Sequence, residues 1–167
     1  MGLLDIFRKK EENITDLKGD LSKLINKGIL FEDSDLFLKW NIPIGEIKKQ
    51  VVVQEKLFAD RAAYNWGEQS ILNGLRLSLS TTFWYHKEES ADKKLKTISF
   101  HTEGNEIADD SFKLIIAHLE KEFKPATAKE ITETSTYLEW VIGDVKMSLY
   151  LFEKYSVNRL QFEICKL

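Results

Sequence analysis

A single cysteine, Cys165, removes two kinds of architecture at once: the chain can close no internal disulfide and can build no multi-cysteine metal site. That scarcity suits a reducing compartment, and a cytoplasmic location is expected. No run of about twenty apolar residues occurs, so no transmembrane segment is expected. The eight glycines are scattered and form neither Gly-x-x-x-x-Gly-Lys nor Gly-x-Gly-x-x-Gly, and no serine sits in Gly-x-Ser-x-Gly. Phosphate-cradling loops and a hydrolase nucleophile elbow therefore have no support. Cys165 itself, two residues from the end of a strand-like run, reads as an inert thiol.

Three histidines, His86, His101 and His118, include no pair at helical spacing. The best arrangement available is His86 and His101 approaching across a hairpin near Glu88 and Glu103, and it reads as solvent-facing histidines beside a charged loop. No metal and no cofactor are expected. Acidic and basic residues nearly balance, 27 against 24, which argues against nucleic acid as a partner. At the start, Leu3, Leu4, Ile6 and Phe7 precede Arg8, Lys9 and Lys10, the reverse of a secretory signal, whose charges come first. No export is expected. Ile6 also stands where a myristoylation motif needs Ser or Thr. Leu3, Leu4, Ile6 and Phe7 offer at most weak peripheral membrane contact.

What the chain does have is patterning. With 43% hydrophobic and 31% charged residues it can bury a core and remain solvated. Val145, Met147, Leu149 and Leu151 alternate with Lys146, Ser148, Tyr150 and Phe152; Leu160, Phe162 and Ile164 alternate with Gln161, Glu163 and Cys165. A period of two marks strands buried on one face, and Tyr137 to Leu167 reads as a three-stranded meander. Gly143-Asp144 supplies a tight turn and Tyr155 to Asn158 a wider one. Tyr64 to Phe100 repeats the layout more weakly: a strand over Ala62 to Trp66, a turn at Gly67-Glu68, a long strand from Leu75 to Trp84 or Tyr85, a charged loop over 86–94 and a return strand with Ile98 and Phe100. The shared Tyr and Trp openings suggest an internal duplication.

Helical periodicity appears twice. Phe112, Ile115, Ile116, Leu119 and Phe123 form a stripe that Asp109 or Asp110 would cap and Pro125 would end. Ile14, Leu17, Leu21, Leu24 and Ile25 form another, with Asn13 and Gly28 as its caps. Between the N-terminal helix and the first meander, a short helix is expected near Gly45 to Lys49 and a strand near Val51 to Val53. Ala126 to Ser135 reads as a connector.

These elements predict one α+β domain over residues 1–167. Its core, 59–167, would be a two-layer β-β-β-α-β-β-β arrangement: a mainly antiparallel sheet of about six strands with helices on one face. Residues 1–58 would form an N-terminal helical or irregular segment. Tyr150 and Phe152 fall opposite Leu149 and Leu151, so that second face is either covered by the N-terminal helix and the Phe31–Trp40 segment or used for binding. Covering is the expectation.

For function, the sequence supports a non-enzymatic, cytosolic protein-binding module, a class that includes small inhibitors and immunity-type proteins. Its partner would be another protein, met through Trp66, Trp84, Tyr85, Trp140 or Tyr150. The alternative is a small-ligand carrier or enzyme using a cleft between sheet and helices, lined by Trp66, Trp84 or Trp140. Glu68, Glu139 and Asp144 near strand ends are the acids such a cleft could use, but they read as solvated acids at turns, and no catalytic residue is assigned.

Overall fold

The structure is a computed structural model and describes residues 19–50, 54–84 and 94–167. Helix α1 (Leu21–Lys27) leads into a small hairpin, β1 (Gly28–Phe31) and β2 (Leu36–Lys39), and then helix α2 (Ile44–Gln50). Four strands follow: β3 (Gln54–Leu57), β4 (Arg61–Ile71), β5 (Leu75–Trp84) and β6 (Thr97–Glu103). After helix α3 (Asn105–Phe123) come four more: β7 (Ala128–Ile131), β8 (Ser135–Ile142), β9 (Val145–Lys154) and β10 (Val157–Lys166). The eight strands from β3 to β10 form one antiparallel sheet in the order β3-β4-β5-β6-β10-β9-β8-β7. The expected α+β class and β-β-β-α-β-β-β core are present, with β3 and β7 added at the edges.

That order is a palindrome of two four-stranded meanders. They meet where β6 pairs with β10, Ile98 opposite Ile164 and Phe100 opposite Phe162. The period-two pattern then decides which face is buried. Ile98, Leu138, Trp140, Met147, Leu149, Leu160, Phe162 and Ile164 all lie on one face and are buried. Helix α3 packs across that face with Ala108, Ile115, Leu119 and Phe123 turned inward, chiefly over β10, β6 and β9. Burying a tryptophan such as Trp140 withdraws roughly 200 Å² from water, on the order of 5 kcal/mol before entropy is charged.

Several expectations are corrected. The Phe31–Trp40 segment is a hairpin with a two-sided burial in β1, which hides the strand period, and together with α1 it packs on the same apolar face as α3. Phe31 stands edge-on to Trp66 at 5.5 Å, and the Trp40 indole N–H donates to the Ile25 carbonyl. These segments therefore do not cover the face that carries Tyr150. Helix α3 starts at Asn105 behind Gly104, not at Asp109 or Asp110; Asp109 instead accepts a hydrogen bond from Asn158 at 2.9 Å. Gly67 is not a turn but part of a β-bulge, with a φ of +69° that glycine favours; the chain turns at Leu72, Asn73 and Gly74. The supposed connector contains the edge strand β7. Tyr155 and Ser156 form a two-residue turn with positive φ at both positions, tighter than expected.

Helix α1 is capped by Asp20, which accepts from the Lys23 amide, and Asn26 on the same helix accepts from the Asp144 amide in the β8–β9 turn. The expected cap Asn13, the Val51–Val53 strand and most of the 86–94 loop lie outside the described residues. Gly28 ends α1 as expected, for a different reason: its backbone is extended, and a Cβ there would lie 2.2 Å from the Leu38 carbonyl oxygen. Gly28→Ala is expected to cost on the order of 1–3 kcal/mol by overpacking, read as a lower melting temperature. Gly45→Ala, where a new methyl would meet nothing within 4 Å, is expected to stabilise by about 0.5–1 kcal/mol.

Candidate functional site

Strand pairing lines up the residues opposite the apolar face into rows that cross the sheet. One row runs Glu130, Tyr137, Tyr150, Gln161 and His101 over strands β7, β8, β9, β10 and β6. At about 4.8 Å per strand it is roughly 19 Å long. A second row beside it reads Ser135, Phe152, Arg159 and Glu103. The row on the other side holds Glu139, Ser148, Glu163 and Ser99. Apart from Glu130, whose strand is exposed along its whole length, these positions result from the same alternation that buries the leucines.

Aromatic rings form the middle of this surface. Tyr137 meets Tyr150 edge-on at 6.3 Å, and Tyr150 stacks on Phe152 at 4.7 Å with the ring planes 20° apart. Tyr150 remains 36% exposed. Beside the rings is a groove of about 500 Å³ whose walls include Glu130, Tyr137, Lys146, Tyr150, Gln161 and Glu163. A neighbouring hollow of about 330 Å³ shares Gln161 and is bounded by His101, Glu103, Phe152 and Arg159.

The polar groups are largely fixed by one another. The Tyr137 hydroxyl donates to Glu139, whose carboxylate lies 3.8 Å from Lys146 Nζ. Loss of hydration, reinforced by that hydrogen bond, pushes the Tyr137 phenol up to about 12, so it is a donor at neutral pH and not a base. Arg159 pairs with Glu103 at 3.2 Å, and Gln161 Nε2 donates to Glu163 at 2.7 Å. Among the described residues, Glu130 and Glu163 have no lysine or arginine within ion-pair distance.

The sequence-selected aromatics separate by face. Trp140 is fully buried and its indole N–H donates to the Lys124 carbonyl. Trp66, the residue left unopposed by the bulge, is buried and donates to Thr81. Both belong to the core, and neither lines the groove or the hollow on the open face. The cavity recorded between α1 and its hairpin holds about 10 Å³, room for at most one water. Trp84 ends β5 with its backbone paired to Arg61. Tyr85 lies outside the described residues. Of the candidates whose side chains are described, Tyr150 alone sits on the open face, and the sequence reading passed over Tyr137 and Glu130 as site residues. Parity along β8 carries the signal for Tyr137, since it is one residue before buried Leu138. Glu130 was hidden in the stretch read as a connector.

No group of three metal-binding side chains exists among the described residues. His118 Nε2 lies 2.6 Å from the Leu72 carbonyl and, since a carbonyl only accepts, donates to it. His86 lies outside the described residues, so the pairing with His101 has no structural description. His101 still meets solvent, yet loss of hydration lowers its pKa below 6.5, while the Glu163 charge works the other way. The fold thus binds this proton less readily than the unfolded chain, so stability declines slightly as pH falls below 6.5. An NMR titration is expected to place His101 below 6.5 and to move it lower still in Glu163→Gln; a midpoint at or above 6.5 contradicts this environment. Comparison with protein-family models, curated proteins and solved structures finds no match for this chain.

Proposed function

We propose that this protein is a non-catalytic, polypeptide-binding module whose contact surface is the open face of its C-terminal meander. The observation that carries this reading is the ring cluster Tyr137, Tyr150 and Phe152 on β8 and β9, the two inner strands of the C-terminal meander, on the side away from the helices. Aromatic rings in the centre with polar and charged groups around them make up the usual anatomy of a protein contact. The groove is shallow and crosses several strands, unlike the enclosed pocket that holds a small substrate. Glu130 and Glu163 on the groove wall disfavour a phosphate backbone there. A cytosolic setting suits a chain with one half-buried thiol. A small inhibitor that masks another protein would fit this class.

Photo-crosslinking tests the reading. A photoreactive phenylalanine analogue replaces Tyr150 in one sample and Ile107, 62% exposed on α3, in another, and each is irradiated in an extract of the source cells. The expected result is a discrete polypeptide adduct from position 150 and none from 107. Adducts from 107 alone, or no polypeptide adduct at 150, would overturn the assignment.

A further inference from the structure

The open face is not electrically neutral, and its imbalance points to the chemistry of what it binds. Across β6 to β10 four carboxylates, Glu103, Glu130, Glu139 and Glu163, stand against three cations, Lys146, Lys154 and Arg159, but the groove itself is lined by Glu130 and Glu163 against Lys146 alone. Arg159 is held by Glu103, Lys146 lies beside Glu139, and Lys154 lies over the Tyr155 ring at the end of its strand. Glu130 and Glu163 are the remainder. They occupy opposite sides of the groove, on β7 and β10, with Tyr137 and Tyr150 on the two strands between them. His101 does not restore the balance at neutral pH, because loss of hydration disfavours its charged form.

A carboxylate beside an aromatic face is a favourable seat for a guanidinium or ammonium group: the carboxylate supplies charge and hydrogen-bond acceptors, and the ring supplies cation–π attraction and a surface for the aliphatic stem. The groove provides that combination twice, Glu130 directly opposite Tyr137 and Glu163 diagonal to Tyr150, opposite Ser148. The strands that carry them are three apart, roughly 14 Å across the sheet, and Glu163 is offset by two residues along its strand, within reach of a long basic side chain. An extended chain covers that distance in about four residues.

Building on the polypeptide-binding reading above, we propose that the partner lays an extended basic segment across β7 to β10, with two arginine or lysine side chains about four residues apart entering the groove beside Glu130 and Glu163. Tyr137 and Tyr150 take the apolar stems. The two carboxylates that have no lysine or arginine within ion-pair distance among the described residues gain cationic partners in the complex, so association is faster and tighter at low salt.

The probe is a short peptide with two arginines four positions apart, titrated into the isotope-labelled full chain and followed by amide NMR; a peptide with glutamates at those positions is the control. The arginine peptide is expected to shift the amides of Tyr137, Tyr150, Gln161 and Glu163, while the glutamate peptide leaves them in place. Glu130→Gln combined with Glu163→Gln is expected to weaken binding at least ~tenfold, as is raising salt from about 50 to about 200 mM. Both substituted positions border the groove, and an unchanged melting temperature confirms that the variant folds. Equal binding of the two peptides, shifts elsewhere on the molecule, or indifference to the double substitution would overturn the basic-segment assignment. If the crosslink at position 150 still forms with a polypeptide, the open-face reading survives that failure. An adduct made only to residues 1–10 of this chain, which hold Arg8, Lys9 and Lys10, would replace the partner with an internal occupant and overturn the proposal.

Discussion

The antiparallel pairing of β6 with β10 is the joint on which the rest of the molecule depends. Each meander alone would expose an edge along its last strand; together they make one sheet with a continuous apolar face. Ile98, Phe100, Phe162 and Ile164 form the seam, and α3, the connection between the two halves, lies over β6, β10 and β9. The helix is thereby fixed to one side. Once α1, the small hairpin and α3 have all been placed against the leucine face, the described residues supply no layer for the other.

This asymmetry explains why the surface chemistry is concentrated where it is. In the first meander the open face carries small or polar residues, such as Asn65, Ser78, Ser80 and Thr82. In the second it carries three aromatic rings and most of the carboxylates. Residues that a core would have selected for shape are replaced there by residues that hydrogen-bond sideways, Tyr137 to Glu139 and Gln161 to Glu163. Such lateral bonds hold side chains in place without a covering layer, and a contact surface that is already ordered loses less entropy when it binds.

The second meander was legible in the sequence because nearly every residue in it obeys one rule, buried or open by parity. Where the rule failed, so did the reading. Strand β1 is buried at all four positions and β7 is exposed at all four, so neither alternates. The bulge at Gly67 adds one residue to β4 and breaks its phase, which made a continuous strand look like a turn. The start of α3 carries a glycine without a side-chain cap, so the first visible signal was the aspartates one turn later. For the site, aromatic size misled and parity would not have: Trp66 shares a face with buried Tyr64, and Trp140 shares one with Leu138, whereas Tyr137 and Tyr150 fall between the leucines. The Tyr–Trp spacing also differs between the meanders, two residues in β4 and three in β8, which puts Tyr64 inside and Tyr137 outside. Charge complementarity was not readable at all, since Glu130 and Glu163 are 33 positions apart and meet only through the strand order.

Central to the whole account is an aromatic row left uncovered in the free protein, and tyrosine nitration of the full chain measures it directly. In the folded state Tyr155, 86% exposed in its turn, and Tyr150 on the open face are expected to be modified, while buried Tyr64 resists until the chain is unfolded. Peptide mapping that finds Tyr150 as protected as Tyr64 would contradict the account, because it would mean that this face is already covered.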